Sequence, residues 1–235
     1  MKGKLPAIQA AVIPVPLGIV NAFVLRGGRS VIVDTGYPGS ADVFLKKLSE
    51  IGIKLEQISL ILITHAHTDH SGSAAELRQR TGAPVAIHQL DAEFLRSGNN
   101  PPLHPTGTLS RLLMSLPVFG RTAKAPPLEP DILIEGEMSL QKFGIDGEIL
   151  PTPGHTPGSI SVLLNGGEAL VGDMIMGDLI RRKRPSYPLV ADNIVQLRES
   201  IKLVMQRSPK VVFIGHGGPL EPERIYRKFL ATACR

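Results

Sequence analysis

Residues 58–72 read Ile-Ser-Leu-Ile-Leu-Ile-Thr-His-Ala-His-Thr-Asp-His-Ser-Gly, and this stretch constrains the chain more than any other. The run 58–63 is apolar and rich in β-branched residues, the pattern of a buried strand. It ends abruptly in His65, His67, Asp69 and His70. Side chains two apart on an extended backbone project to the same side, so His65 and His67 share a face. A zinc-protease helix would instead place its two histidines four apart. Three imidazoles and a carboxylate so close together would repel one another or stand idle without a cation, and the set suits zinc or another borderline divalent metal. The plainer alternative is a surface loop whose histidines merely titrate, but histidine is rarely this dense. Four groups exceed the three protein ligands that a single catalytic metal uses beside its open position. The spacing therefore predicts two metals and further ligands elsewhere in the chain.

The chain has 235 residues, room for one large domain or two small ones, and its 43% hydrophobic and 20% charged residues are those of an ordinary globular protein, so disorder is not expected. A lone cysteine, Cys234, excludes an internal disulfide, fits a reducing compartment and stands too near the C-terminus for a metal or catalytic role. A net charge of +5 permits anionic substrates or RNA without requiring them. The first 25 residues superficially resemble a signal peptide, but Pro6, Gln9, Pro14, Pro16 and Asn21 interrupt the apolar run. No spanning helix is expected without a clean stretch of ~18 apolar residues, and the expected location is cytoplasmic. Residues 8–14 and 19–26 read as strands.

Gly27-Gly28 is a hairpin signal between two strands, the second of which ends in Asp34-Thr35-Gly36. Ser40 reads as the N-cap of a helix carrying Val43, Phe44, Leu48 and Ile51, with Gly52 as its stop. A helix over 73–81, a strand over 84–88 and a short helix over 89–96 follow. Residues 97–129 are rich in Pro and Gly, with an apolar helical patch at 109–116, and so long an irregular segment is either a lid-like insertion or a surface excursion. Strands are expected near 131–134, 138–143, 148–150, 159–164, 169–172 and 211–214, with helices over 192–206 and 222–231.

Three later stretches share one grammar, an apolar strand, a sharp turn and then a metal-capable group. His155 stands between two Pro-Gly turns, Asp173 ends Leu170-Val-Gly-Asp, and His216 ends Val211-Val-Phe-Ile-Gly-His. Taken with His65-Ala-His67-Thr-Asp69-His70, these resemble, in order, the signatures of the metallo-β-lactamase superfamily. The resemblance covers nearly the whole chain. It implies one metallo-β-lactamase-like domain over 1–235, an α/β four-layer αβ/βα sandwich of two packed mixed β-sheets with helices outside. It also implies a first metal on His65, His67 and His155, a second on Asp69, His70 and His216, and Asp173 bridging the two. Asp34, at a strand end, would orient a ligating imidazole, as carboxylates beside metal ligands usually do, or else cap its own turn. Of the other histidines, His88 reads as structural, and His104 is a candidate to face the substrate.

The implied function is that of a dinuclear-metal hydrolase, most simply of zinc, with iron or manganese as alternatives. Two cations ~3.5–4 Å apart would activate a bridging hydroxide to attack an ester, thioester or lactone. Asp69 would orient that nucleophile and take up a proton. Asp173 stands where the commonest antibiotic-hydrolysing members carry Cys, His67 argues against the di-iron flavoproteins, and Met176 stands where lactonases of this fold carry Tyr. The chain also ends too soon after His216 for the helical C-terminal domain of glyoxalase II. Residues 181–184 are four consecutive cations, of which Arg181 and Arg182 could grip a substrate anion, or the run could be a solvated turn. Tyr187 is a candidate oxyanion donor or a packing residue, and Met174 to Met176 with the 112–114 patch suggest a partly apolar pocket. These point to a small-molecule substrate with an anionic tail, no nucleic acid or membrane partner, and a chain compatible with a homodimer. The competing readings are a phosphodiesterase or ribonuclease of the same fold, motivated by the charge, and a mononuclear-iron dioxygenase or redox partner. A purely structural or binding role fits least, since no ligand is lost.

Overall fold

In the computed structural model, which describes residues 10–115 and 124–231, two sheets carry the chain. The first has the order β1-β2-β3-β4-β5-β6, with β1 Ala11–Leu17, β2 Val20–Arg26, β3 Ser30–Val33, β4 Ile58–Leu62, β5 Val85–His88 and β6 Ile132–Ile134. The first three strands form an antiparallel meander, and β3 to β6 run parallel. Parallel neighbours need a crossover, and helices supply each one. α1 (Ala41–Glu50) joins β3 to β4, α2 (Thr68–Ser71) and α3 (Ala74–Thr81) join β4 to β5, and α4 (Ala92–Ser97) and α5 (Thr108–Met114) lie between β5 and β6.

The second sheet contains β7 Met138–Ser139, β8 Gly147–Pro151, β9 Ile160–Leu164, β10 Glu168–Leu170 and β13 Val211–Phe213, in the order β13-β10-β9-β8-β7. Only β10 and β13 pair in parallel, across the long helix α6 (Ile194–Gln206). β11 (Met176–Gly177) and β12 (Pro185–Ser186) make a separate hairpin, and α7 (Pro222–Ile225) follows β13.

Alternation along the strands explains the four layers. On β2, Phe23 and Leu25 face the second sheet, while Ala22 and Val24 face the helices. On β3 the same split puts Val31 and Val33 inside and Ile32 under α1, where Phe44 and Leu48 cover it. The second sheet mirrors this, with Ile160, Val162 and Leu164 inside and Leu163 turned toward Leu197, Ile201 and Val204 of α6. Strands buried on both faces must be apolar throughout, which is why β3 and β4 read as continuous hydrophobic runs.

Several local expectations shift. The expected strand from residue 8 runs over Ala11–Leu17, and residues 8 and 9 lie outside the described residues, as do Leu116 of the 109–116 patch, residues 117–123 of the irregular segment, and Cys234. Ser40 occupies the cap position of α1 but its hydroxyl makes no capping bond; its N–H instead donates to Ser73 Oγ at 2.8 Å. The strand expected over 138–143 stops at Ser139 because a 3-10 turn, Gln141–Phe143, closes at Gly144 with φ +81°. The helix expected over 222–231 is one α turn followed by a π turn, Tyr226–Leu230. Among the described residues, no helix is long and apolar enough to cross a membrane.

Candidate metal centre

The motif residues stand on loops that leave the C-terminal ends of five strands. Asp34 follows β3, His65 to His70 follow β4, His155 follows β8, Asp173 follows β10, and His216 follows β13. Carboxyl ends of strands are where α/β folds place their ligands. Here they bring groups distant in the chain to one rim. His65, His67 and His155 offer ring nitrogens within 4.8 Å of one another, and two sets of ring nitrogens and a carboxylate oxygen are as close, Asp69 with His70 and His216, and Asp173 with His65 and His70.

Hydrogen bonds fix the ring orientations. His155 Nδ1 meets the Val190 carbonyl at 2.8 Å, and His216 Nδ1 meets the Ile19 carbonyl at 3.0 Å. A carbonyl only accepts, so both Nδ1 atoms carry a proton, and Nε2 is left to accept wherever the ring is neutral. His70 Nδ1 donates in the same way to Asp34 Oδ2 at 2.9 Å. The Thr64 hydroxyl gives its one proton to Asp34 Oδ2 at 2.8 Å, so it accepts from His65 Nδ1 at 3.1 Å. Four imidazoles are thus oriented through a protonated Nδ1. His67 is the exception, and its Nδ1 faces His155 Nε2 at 2.9 Å.

Asp34 performs this work from a left-handed backbone, φ +60°, while also accepting from Thr64 N–H at 2.8 Å. A non-glycine residue held there stores strain, and such strain collects at functional sites. Gly215 is required for a different reason, since a Cβ at that position would collide with Asp173 Oδ1.

Asp173 is central. Its Oδ1 lies 3.4 Å from His70 Nε2, and its Oδ2 lies 3.2 Å from His216 Nε2 and 3.9 Å from His155 Nε2. Asp69 Oδ2 lies 3.2 Å from His216 Nε2. Buried polar atoms are nearly always hydrogen-bonded. Yet the Nε2 atoms of His65, His67 and His70 and Oδ1 of Asp173 are buried with no hydrogen-bond partner among the described residues. A divalent cation placed among these atoms would take up their lone pairs and displace any proton they hold.

The electrostatics divide the cluster in two. Burial pushes His65 well below the usual histidine range, with His70 beside it acting the same way; burial and then His155 push His67 down to about 3; burial also lowers His155. Burial opposes a charge on His70 and His216 as well, but Asp173 and then its neighbours raise His70 well above its ordinary value and His216 to about 10. Burial would raise both carboxyls, yet the charge of His70 and then His216 holds Asp69 at about 2, and His216 and then His70 keep Asp173 well below the usual carboxylate range. One group is neutral imidazoles; the other is imidazoles balanced by carboxylates.

Beside the centre opens a cavity of about 480 Å³. His67, Asp69, His155, Asp173 and His216 form its floor, and Ile19, Leu103, Met114, Leu179 and Leu189 contribute apolar wall. Met176 and Arg182 line it as the sequence suggests, but Arg181, Tyr187 and His104 do not. Arg181 turns away because Asp178 Oδ1 accepts from both Ile180 and Arg181 N–H at 3.0 Å, curling the tip of the β11–β12 hairpin. The Tyr187 hydroxyl is taken by Arg198 Nε at 2.6 Å, and its ring packs edge-on to Phe229. His104 is exposed and sits 3.7 Å from Asp192. His88 is structural, its Nδ1 accepting from Leu90 N–H at 3.3 Å.

Three residues escaped the sequence reading. Tyr37 lines the cavity, and its phenol is pushed up to about 12 by burial and then by Asp69 and Asp173, which keeps it a proton donor. Asn21 figures in the sequence only as a polar break in the apolar N-terminal run; its Nδ2 donates to the carbonyls of Ile214 and Gly217 at 3.0 and 2.8 Å, clamping the His216 loop. Asp91, buried between β5 and α4, carries no motif signal at all.

The match to known proteins agrees with this geometry. The family model described as the metallo-beta-lactamase superfamily matches residues 15–216, and the chain belongs to that superfamily. It is 30% identical over 201 residues to Probable metallo-hydrolase MJ0888 of Methanocaldococcus jannaschii, covering 84% of this chain and 87% of that one. It is 32% identical over 128 residues to a hydroxyacylglutathione hydrolase of Albidiferax ferrireducens, but that covers only 54% of this chain and 34% of the relative. Among solved structures, the BLEG-1 B3 metallo-beta-lactamase superposes with a TM-score of 0.67 at 25% identity, over 94% of this chain and 98% of that one.

Proposed function

We propose that this chain is a dinuclear metal-dependent hydrolase, most simply of zinc, that cleaves an ester, thioester or lactone in a small substrate with an anionic tail. The observation that carries the reading is the convergence of the buried Nε2 atoms of His65, His67 and His70 and Oδ1 of Asp173, which have no hydrogen-bond partner among the described residues, with His65 and His70 oriented from behind by Thr64 and Asp34. His65, His67 and His155 would hold one ion, Asp69, His70 and His216 the other, and Asp173, within 4 Å of histidines from both groups, would be shared. Divalent ions there would supply a Lewis acid and a water of lowered pKa.

The protein's own groups then do the rest. Asp69 lines the cavity floor and is held ionised, so it is suited to accept a hydrogen bond from a water and orient it. Tyr37 remains a donor for a substrate oxygen. Arg182 offers a cation to an anionic tail, and it is the one Lys or Arg lining the cavity among the described residues. A lone cation in a partly apolar wall suits a small acyl substrate better than a nucleic acid, which needs a basic track.

The test is metal analysis of the purified protein, followed by a panel of lactones, thioesters, esters and phosphodiesters. We expect two divalent ions per chain and turnover of an acyl substrate that vanishes after chelation and returns with metal. Asp69→Ala should remove that turnover while metal is still bound. Undiminished activity after exhaustive chelation, or turnover of phosphodiesters alone, would overturn the reading.

A further inference from the structure

We infer that Asp91 is the positioning residue of the first triad, locking the loop of His65 and His67 to the loop of His155; this rests on the metal reading above. Its carboxylate has no exposure to solvent. Oδ2 accepts from the N–H of Ala66, the residue between the two histidines, at 2.9 Å, and from Thr156 Oγ1, next to His155, at 2.8 Å. Oδ1 accepts from Gly158 N–H at 2.9 Å. One side chain thus bridges two loops that leave different sheets, at the point where their histidines must meet.

A helix-capping role is the plain alternative, because Asp91 stands at the N-cap of α4. Its side chain makes no capping bond there. All three of its partners lie on the histidine loops. Nor does an ion pair account for it, since no cation lies within ion-pair distance of Asp91 among the described residues. A buried carboxylate without a counter-charge is costly, and it persists only where its hydrogen bonds are needed. The fit is close as well, because a Cβ on Gly158 would collide with the Asp91 carboxylate. Asparagine keeps the shape but exchanges one acceptor for a donor, which must then face one of three N–H or O–H donors.

The second triad is fastened by other means. Asp34 holds His70, the Ile19 carbonyl holds His216, and Asn21 clamps the His216 loop. Losing Asp91 should therefore loosen one site and spare the other, which a general loss of stability would not do.

The experiment places D91N in two backgrounds and titrates each with cobalt(II), following its ligand-field absorption. His216→Ala leaves the first triad whole, and His155→Ala leaves the second. We expect D91N to weaken cobalt binding about tenfold or more in the His216→Ala background, and less than about threefold in the His155→Ala background. Equal losses in both, or no loss in the first, would overturn the inference. Should D91N fail to fold, Thr156→Val removes one of the three bonds; a selective, smaller loss that Thr156→Ser restores supports the inference, and no loss overturns it. Absence of cobalt binding in both parent backgrounds would instead overturn the metal reading beneath it.

Discussion

At and behind the cavity floor, the rings of His65, His70, His155 and His216 are each pinned through Nδ1 by a hydrogen bond. Across from this floor, the β11–β12 hairpin and α5 hold their side chains differently. Leu179 and Ile180 stand 58% and 90% exposed, and Leu112 stands 64% exposed. The histidine side is over-determined, with four of the five candidate imidazoles braced from behind; the wall has few such braces. Chemistry that must be accurate to fractions of an ångström belongs on the first. Selection among substrates belongs on the second, where replacements disturb little else.

The largest effect should come from the rim. Asp173→Ala deletes the carboxylate that touches both histidine groups. Activity on the best acyl substrate should fall roughly a thousandfold, an amount matching several kcal/mol of lost charge stabilisation. Retention of even a tenth of wild-type kcat would break the comparison. Next, Asp34→Asn keeps a residue type that tolerates the left-handed backbone but replaces an acceptor of His70 and Thr64. Metal retained after dialysis against a weak chelator should correspond to ~10–100-fold weaker binding. An unchanged metal content would show that the bracing is ornamental.

On the wall, Arg182→Ala should raise KM about tenfold for substrates with an anionic tail, as expected for one partly exposed charge-assisted bond. The kcat should change little, and neutral analogues of the same substrates should be unaffected. A fall in kcat with unchanged KM would mean that Arg182 acts through the Ile19 carbonyl it shares with His216, at 3.1 and 3.0 Å.

The smallest effect lies far from both regions. Arg78 makes a two-pronged bond to Asp131, which also accepts from Val85 N–H. The Arg78 hydrogen bond holds the Asp131 carboxyl below its usual range. A lowered carboxyl pKa contributes stability above the unfolded value, and that contribution is lost as pH falls through the folded value. Both side chains are well exposed, so solvent screening limits the pair to ~0.5 kcal/mol. Arg78→Ala should lower thermal stability slightly near neutral pH and converge with wild type in acid; a gap that widens below pH 4 would refute it.

The same comparison explains what was legible beforehand. The rim could be read because metal ligation demands particular residue types at particular spacings, as in His65-Ala-His67-Thr-Asp69-His70. The strands β3, β4 and β9 could be read from their apolar runs, but their stacking into four layers came only from the family resemblance, because apolar faces do not say which sheet they meet. The wall could not be read in the same way. Arg181 and Arg182 are equal as letters, and only the Asp178 turn sends one outward and leaves the other at the cavity. Tyr187 offered a donor, but its hydroxyl accepts from Arg198 and its ring packs on Phe229, away from the cavity lining. Asp91 and Asn21 were invisible because their work is to join segments remote in sequence, and no local pattern encodes a partner that far away.

That remoteness has a consequence for how the protein comes into being. Asn21 and the Ile19 carbonyl belong to the first hairpin made, yet they fasten Ile214, His216 and Gly217, up to 197 positions downstream. A nascent chain emerging from the ribosome therefore has a dangling N-terminal edge until its last strand arrives. On the proposed two-ion reading, Asp69, His70 and His216 would come together only after β13 has been made, so binding at that set would follow synthesis of the strand.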